Sequence, residues 1–218
     1  MSREPWALST LLSPTRMAPY LTAVRGGAWD GGWDQALALY DWNTSVGAAF
    51  FESIHYLEVG LRNAMDQTAG ERLAPDWLSP TSPLLTPRSR RAVSVAQGHA
   101  GGAGAPRGKV VAELPFGFWW SLLADEYNRR LWQPALRFAF EGPVRRRTLH
   151  AELDEVRRLR NRIAHHEPIH ARALVDDYDR VVDLAGRVGR VLSDHVAATS
   201  RVPALVATHP LRPPPTLA

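Results

Sequence analysis

The sequence predicts an all-α protein, because apolar residues recur at three- and four-residue steps in its long segments and show no convincing strand-like alternation. These segments are separated by stretches rich in proline and glycine, of which the chain has 17 and 16. Hydrophobic residues make up 45% and charged residues 22% of the 218 residues, as is typical of a globular domain. We therefore expect a helical bundle with additional helices and long Pro/Gly-rich loops.

The first predicted helical region runs from residue 33 to residue 73. Its apolar positions follow the helical period: Ala36, Leu37, Leu39, Tyr40, Phe50, Ile54, Leu57, Leu61, Ala64 and Met65. Polar residues at 43–45 interrupt this stripe, so the pattern predicts one short and one long helix with a joint between them.

Proline and glycine dominate the middle of the chain. Prolines spread over residues 75–87 predict a surface loop, and a short helix is expected at 88–97. The glycine-rich residues 98–108 lack the spacing of a phosphate-binding loop, so they are predicted to be a flexible, turn-rich connection. Two more helical segments are expected, at 109–128 and 135–140.

Two long amphipathic helices are predicted in the second half of the chain. One covers residues 144–166, with Pro143 suited to its start and Pro168 to its end, and the other covers residues 171–198. The proline-rich tail is predicted to be disordered. The predicted organisation is an N-terminal segment at 1–32, a helical domain at 33–199 and the tail at 200–218.

The composition also restricts where the protein works. The chain has no cysteine, so disulfides and thiolate metal sites are excluded and a reducing compartment is expected. The N-terminus lacks the apolar stretch and cleavage site of a signal peptide, and no apolar run reaches the roughly 20 residues that span a bilayer. We expect a cytoplasmic protein with no membrane partner.

Basic residues are concentrated in the second half of the chain. The net charge is +4, and Lys109 is the only lysine among the 26 basic residues. Arginine binds phosphate through two parallel hydrogen bonds and stays protonated, so clustered arginines favour a nucleic-acid partner, although biased coding also produces an arginine-rich chain. The candidate RNA-binding residues are Arg145, Arg146, Arg147, Arg157, Arg162 and Lys109.

The stretch RRLRNRIAHHEP, residues 157–168, has more cationic and titratable side chains than solubility requires. His165 and His166 have three interpretations. As metal ligands they are poorly placed, because adjacent helical residues point about 100° apart, although Glu167 and His170 could assist them. As residues at a helix C-terminus they would be stabilised by the helix dipole. As acid–base groups they would act on a phosphodiester.

The third interpretation fits the neighbouring residues. Cleavage of RNA by its own 2′-hydroxyl needs a base, an acid and a cation that holds the extra charge on the phosphorane. Histidine suits both proton transfers and arginine suits the phosphate. Arg160 and His165 lie five residues apart, about 140° around an ideal helix. They converge only if the helix loosens near His165 or if a second subunit completes the site.

An aromatic run precedes this helix and also has two interpretations. Exposed aromatic rings stack on bases, whereas clustered aromatic rings beside leucines usually form core. The run comprises Phe116, Phe118, Trp119 and Trp120.

Three segments resemble one known family. R-N-x-x-x-H at residues 160–165 is similar to the R-x4-6-H motif of the HEPN superfamily, and the segments YLEVGLRNAM (56–65) and GKVVAELPFGFWWSLL (108–123) resemble hallmark segments of its Abi-like (abortive-infection, AbiD/AbiF-type) proteins. The resemblance implies a HEPN helical fold and a metal-independent endoribonuclease with no cofactor. Such proteins commonly form homodimers whose paired motifs make one cleft, and they act as toxins or effectors against phage.

The resemblance also assigns roles to residues. Arg160, Asn161 and His165 would be catalytic, with His166 as an assistant, and Glu58, Arg62 and Asn63 would lie in the family's second polar segment. Glu58 and Arg62 have two interpretations. They are either an ordinary i,i+4 ion pair on a helix or, if buried against the helix of Arg160, a pair that orients it. A non-catalytic RNA-binding or regulatory HEPN protein, or a helical module held by a cognate antitoxin (protein or RNA), is the alternative function.

Overall fold

The computed structural model describes residue 8 and residues 11–25 and 32–211, and all regular elements within them are helical. The all-α prediction is therefore confirmed for these residues. The remaining parts of the predicted N-terminal segment and of the tail lie outside the described residues.

The helices are named here in chain order. The longest is α2, and the proposed site lies at the end of α6. The α-helices are α1 (Pro14–Arg25), α2 (Trp33–Arg72), α3 (Pro87–His99), α4 (Arg107–Glu113), α5 (Phe116–Ser121), α6 (Arg146–Ala164), α7 (Leu174–Val188), α8 (Arg190–Thr199) and α9 (Val202–Ala207). Between α5 and α6 lie a 3₁₀ turn (Asp125–Tyr127), a π turn (Asn128–Trp132) and a second 3₁₀ turn (Leu136–Ala139).

The chain divides into two compact units that share three of its helices. Unit one contains residues up to 52, 159–179 and those from 200 onward, and unit two contains 53–158 and 180–199. Each unit therefore draws on segments that are distant in sequence, and the predicted boundaries at residues 33 and 199 do not follow this division.

The core of unit one combines the apolar faces of α1 and α2 with side chains from α6, from the turn after it and from α9. Buried side chains recur along each helix at the helical period, so each helix presents one continuous apolar stripe. These side chains include Met17, Tyr20, Val24, Leu39, Val46, Phe50, Leu159, Ile169, Val202 and Val206. The stripe on α2 is the one that the sequence pattern predicts.

Unit two is organised around large aromatic side chains. Trp77, Trp119 and Tyr127 are almost fully buried. Buried polar groups generally need a hydrogen-bond partner, and two of these three side chains have one. Trp77 Nε1 donates to the Asp66 carboxylate at 3.2 Å, and the Tyr127 hydroxyl donates to Ser89 Oγ at 2.7 Å. Trp119 Nε1 is buried without a partner.

Three expectations about helix boundaries are wrong. Helix α2 is continuous through residues 43–45 and has no joint there. The segment 109–128 is broken at Leu114, whose backbone is extended because Pro115 follows it. The predicted helix at 171–198 is divided at Gly189, and the backbone N–H of Glu141 donates to the carbonyl of Arg187 at 2.6 Å, occupying an acceptor that a continuous helix would use.

The predicted disorder of the tail is wrong for residues 202–207, which form α9. Val202 is fully buried, and the indole N–H of Trp42 donates to the carbonyl of Leu205 at 2.8 Å. Pro203 lies in the first turn of the helix, where a missing N–H has no cost. A proline-rich composition therefore did not prevent this part of the tail from folding.

Among the helices that the structure describes, no helix has both the length and the apolar character needed to cross a membrane.

Candidate active site

The end of α6 is a helix-capping turn built around His166. The N–H of Glu167 donates to the carbonyl of Arg162 at 2.8 Å, and the N–H of His166 donates to the carbonyl of Ile163 at 2.9 Å. This pair of bonds is the Schellman pattern, which needs a left-handed residue at the position of His166. His166 has that conformation, with φ at +56°.

A histidine is an unusual choice at this position. Glycine is the common residue there, because a side chain in the left-handed region costs about 1–2 kcal/mol. His166 therefore carries backbone strain that the surrounding hydrogen bonds maintain. Arg16 contributes one of these, since its guanidinium donates to the carbonyl of His166.

The turn after His166 is held by side chains as well as by backbone bonds. Asn43, which is only 8% exposed, accepts hydrogen bonds from the N–H groups of Ile169 at 2.7 Å and His170 at 3.0 Å. Arg162 Nη2 donates to the carbonyl of Pro168 at 2.9 Å. These bonds fix the chain that follows the two histidines.

The start of α7 is fixed by an ion pair. Arg172 binds both carboxylate oxygens of Asp177, at 2.7 and 2.8 Å, and the side chain of Asp177 is only 5% exposed. A bidentate, largely buried pair restricts both side chains more than a surface ion pair does. The whole segment from His166 to α7 is thus anchored.

One stripe of α2 runs along the end of α6. Asn43, Gly47 and Phe51 are spaced by four residues and so lie on one face of α2. Asn43 holds residues 169 and 170, a Cβ added at Gly47 would lie 3.6 Å from Ile163, and the ring centroid of Phe51 lies 5.4 Å from the guanidinium carbon of Arg160. The contacts therefore step backwards along α6 as α2 advances, so the two segments are antiparallel.

All four predicted catalytic residues lie in unit one. Arg160 and Asn161 are half-buried, whereas His165 and His166 are exposed. The site thus combines a half-buried arginine with two exposed histidines.

The expected loosening of the helix begins after His165. The N–H of His165 still donates to the carbonyl of Asn161 at 2.9 Å, as in a regular helix. His165 therefore keeps approximately the helical direction, about 140° from that of Arg160. The structure therefore does not support convergence by loosening at His165, and completion of the site by a second subunit stays a prediction.

The second polar segment belongs to unit two. Glu58 and Arg62 are half-buried and Asn63 is exposed. Arg62 Nη1 donates to the carbonyl of Ala112 at 3.4 Å, while its Nε is buried without a partner. Their predicted role in orienting Arg160 stays a prediction.

The candidate RNA-binding residues have different environments. Arg145, Arg147 and Lys109 are exposed. Arg146 is different, since its side chain is 9% exposed and donates to the carbonyl of Leu123 and the carboxylate of Asp125. Arg146 is therefore a structural residue in this fold, which argues against its predicted contact with RNA.

Arg157 and Arg162 also have partners within the protein. Arg157 forms an ion pair with Asp154 at 2.7 Å. Arg162 donates to the carbonyl of Pro168, and its guanidinium lies 3.6 Å from the carboxylate of Glu167. Contact with RNA would therefore require these two arginines to share or exchange existing interactions.

The aromatic run is mainly core, as the second interpretation held. Phe116, Phe118 and Trp119 are buried. Trp120 is half-buried, stacks on His150 at 4.6 Å and has the guanidinium of Arg157 4.5 Å from its ring centroid.

Two half-buried histidines have perturbed proton affinity. Burial lowers the pKa of His150, and Arg146 and Arg157 lower it further, against an opposing effect of Asp154. Burial also lowers the pKa of His170, with a smaller contribution from His209. Both imidazoles are therefore biased toward the neutral form.

Sequence reasoning missed Asn43 and Phe51 as parts of the site. Asn43 interrupts an apolar stripe, and that interruption was interpreted as a helix joint rather than as a buried anchor. Phe51 follows Phe50 directly, and adjacent residues on a helix cannot both face the core. The sequence pattern alone does not show that the outward ring lies beside Arg160.

Within the described ranges, no group of three or more His, Asp or Glu side chains could hold a metal ion. No protein-family model matches this chain, and searches of curated proteins and of solved structures found no match. The resemblance to the HEPN superfamily therefore stays a prediction.

Proposed function

We propose that this protein is a metal-independent endoribonuclease that uses Arg160 and His165 at the end of α6, supported by Asn161 and His166. The observation that carries the proposal is the anchored turn. Several backbone and side-chain bonds hold residues 165–170, yet the imidazoles of His165 and His166 remain exposed. Fixed positions for reacting groups are what acid–base catalysis requires.

The reaction would be an in-line transesterification. The 2′-oxygen attacks phosphorus while a base takes its proton, and the bond from phosphorus to the 5′-oxygen breaks while an acid protonates that oxygen. The products are a 2′,3′-cyclic phosphate and a 5′-hydroxyl. Arg160 would hold the negative charge that develops on the phosphorane oxygens.

One chain supplies only part of this chemistry in the proposed scheme. Arg160 and His165 point in different directions around α6, so we infer a homodimer in which the partner brings its own copies of both residues. Light scattering tests this inference: we expect a dimer at micromolar concentration. A stable monomer with full activity would contradict it.

In the cell, such an enzyme would act as a toxin or abortive-infection effector in anti-phage defence, and a cognate antitoxin would restrain it. Expression of the wild type beside His165→Ala tests this role. We expect growth arrest and RNA fragmentation with the wild type only.

The purified protein allows a sharper test. We expect it to cleave single-stranded RNA in EDTA and to leave 2′,3′-cyclic phosphate ends, because the proposed groups are all side chains of the chain itself. Activity that disappears in EDTA and returns with magnesium or manganese would contradict the mechanism. RNA binding with no cleavage under any condition would favour the non-catalytic alternative.

A further inference from the structure

Phe51 differs from its neighbour Phe50 although both lie in the middle of α2. Phe50 is fully buried in the core, whereas Phe51 is 40% exposed. A single exposed apolar side chain is common and needs no function. The contact that Phe51 makes is what sets it apart.

The ring of Phe51 lies beside the proposed catalytic arginine. The guanidinium carbon of Arg160 is 5.4 Å from the ring centroid, within the range of a cation–π contact. Gly47, one turn before Phe51, faces Ile163 of α6, and a Cβ added at Gly47 would lie 3.6 Å from that side chain. An aromatic face and a phosphate-binding fork are therefore held together in unit one.

An aromatic ring and a guanidinium are groups that bind the base and the phosphate of a nucleotide. The base and the phosphate of one nucleotide are joined through a single ribose, so a base on the ring brings its phosphate near the guanidinium. Stacking on an aromatic ring tolerates all four bases. We propose that Phe51 is the stacking residue for the base next to the scissile phosphate of a single-stranded RNA. This inference rests on the proposed function, which supplies the phosphate on Arg160.

The charge of the neighbouring residue is compatible with an anionic ligand. Glu52 is paired with Arg201, whose Nη2 and Nε lie 2.7 and 3.1 Å from its carboxylate oxygens. The pair offsets the negative charge beside Phe51. A phosphate near Arg160 therefore meets little repulsion from this side of α2.

Phe138 in unit two provides a matched control. It is 45% exposed, and the guanidinium carbons of Arg72 and Arg137 lie 3.5 and 4.5 Å from its ring centroid. It is thus a second exposed phenylalanine with arginine contacts, and neither arginine belongs to the proposed catalytic set.

Binding to a short fluorescein-labelled oligouridine, measured by anisotropy in a His165→Ala background, separates stacking from cleavage. We expect Phe51→Leu, which keeps apolar volume but loses the aromatic face, to raise Kd roughly 5- to 100-fold. Phe51→Trp should keep the affinity of the parent, and an unlabelled oligouridine should quench its tryptophan fluorescence more than it quenches that of the parent, which has eight tryptophans. Phe138→Leu should leave Kd unchanged. Circular dichroism establishes that each variant is folded.

Unchanged affinity in Phe51→Leu, with a parent protein that binds, would overturn this inference and leave the proposed function standing. An equal loss in Phe138→Leu, or a Phe51→Trp variant quenched no more than the parent, would overturn it as well. A wild type that neither binds nor cleaves oligouridine or other single-stranded RNA refutes the proposed function and this inference together. The binding curve of the parent tells the two failures apart.

Discussion

Helix α6 carries histidine and arginine in two clusters whose side chains are used differently. In unit two, His150 stacks on Trp120, and Arg157 contacts the same ring while it pairs with Asp154. In unit one, the helix ends in an anchored turn that leaves His165 and His166 exposed. The same residue types therefore serve packing in one cluster and are available for chemistry in the other.

Residue type alone therefore does not identify a functional site on α6. The imidazole of His150 is partly withdrawn from water, and its Nε2 is buried without a partner, so it is a poor proton carrier for a bound substrate. The exposed imidazoles sit on a turn whose backbone is fixed. Substitutions in the unit-two cluster should therefore change stability more than the cleavage rate. Substitutions of the exposed histidines should change the cleavage rate more than stability.

Arg160→Ala should have the largest effect on cleavage among the arginine variants of α6. Removal of a group that stabilises charge in the transition state commonly costs about 10²–10³ in rate, and the loss of phosphate contact should also weaken binding. Single-turnover rates and binding curves at two salt concentrations measure both effects.

Arg158→Ala is the matched control for charge. Arg158 is exposed and pairs with Asp154 and Glu155, so its removal takes the same charge from the same helix. An equal loss of rate in both variants would show that Arg160 acts only through net charge.

Asn43→Ala should loosen the turn that follows the histidines. Its side chain is the acceptor for the N–H groups of Ile169 and His170, and leaving such groups unsatisfied costs about 1–3 kcal/mol. We expect the free energy of unfolding to fall by this amount in urea denaturation, with slower cleavage by the folded fraction. Thr44→Ala, at an exposed neighbour on the same helix, should change neither. Wild-type stability in Asn43→Ala would contradict the anchoring role.

His166→Gly separates capping from chemistry. Glycine adopts the left-handed conformation without the side-chain cost, so the free energy of unfolding should rise by up to about 1 kcal/mol. His166→Val should lower it, because a β-branched residue tolerates this region poorly. Cleavage at the wild-type rate in the glycine variant would reduce His166 to a helix-end residue, while a slower rate would support its role as an assistant.

The smallest expected effect concerns the pH dependence of stability. His150 has a pKa in the folded state below its ordinary value of 6.5, so the unfolded chain binds the proton more readily. The free energy of unfolding should therefore fall as the pH drops below about 6.5 and should continue to fall until the folded-state pKa is passed. His150→Phe keeps a ring on Trp120 and should show a shallower decline in denaturation curves between pH 7 and pH 5. A decline as steep as that of the wild type would contradict this contribution.

The sequence predicted the helices better than it predicted their ends. Helix α6 was expected at 144–166 and is found at 146–164, because its apolar stripe is regular and Pro168 follows it. The break at Gly189 was missed, since it involves a hydrogen bond from Glu141, a residue distant in sequence. Helix α9 was missed for a related reason, because its stability depends on burial of Val202 and on a bond from Trp42.

The candidate site was predictable to a similar extent. The residue types at 160–166 pointed to phosphate chemistry before any geometry was known, since arginine and histidine are adjacent there in sequence. Asn43 and Phe51 were not identified, because they contact the site from more than 100 residues away. The local sequence pattern thus predicts the arginine and histidine side chains of the candidate site. The residues that contact them are visible only in the tertiary structure.

A comparison of His165→Ala with His150→Phe in one assay tests most directly whether His165 is catalytic. Both remove an imidazole from α6, and both are measured as single-turnover cleavage of saturating single-stranded RNA in EDTA, with the folded fraction of each matched by circular dichroism. We predict that His165→Ala loses about 10²–10⁴ in rate with RNA affinity nearly unchanged, while His150→Phe cleaves at the wild-type rate. Cleavage by His165→Ala at the wild-type rate, or an equal loss in both variants, would contradict a catalytic role for His165.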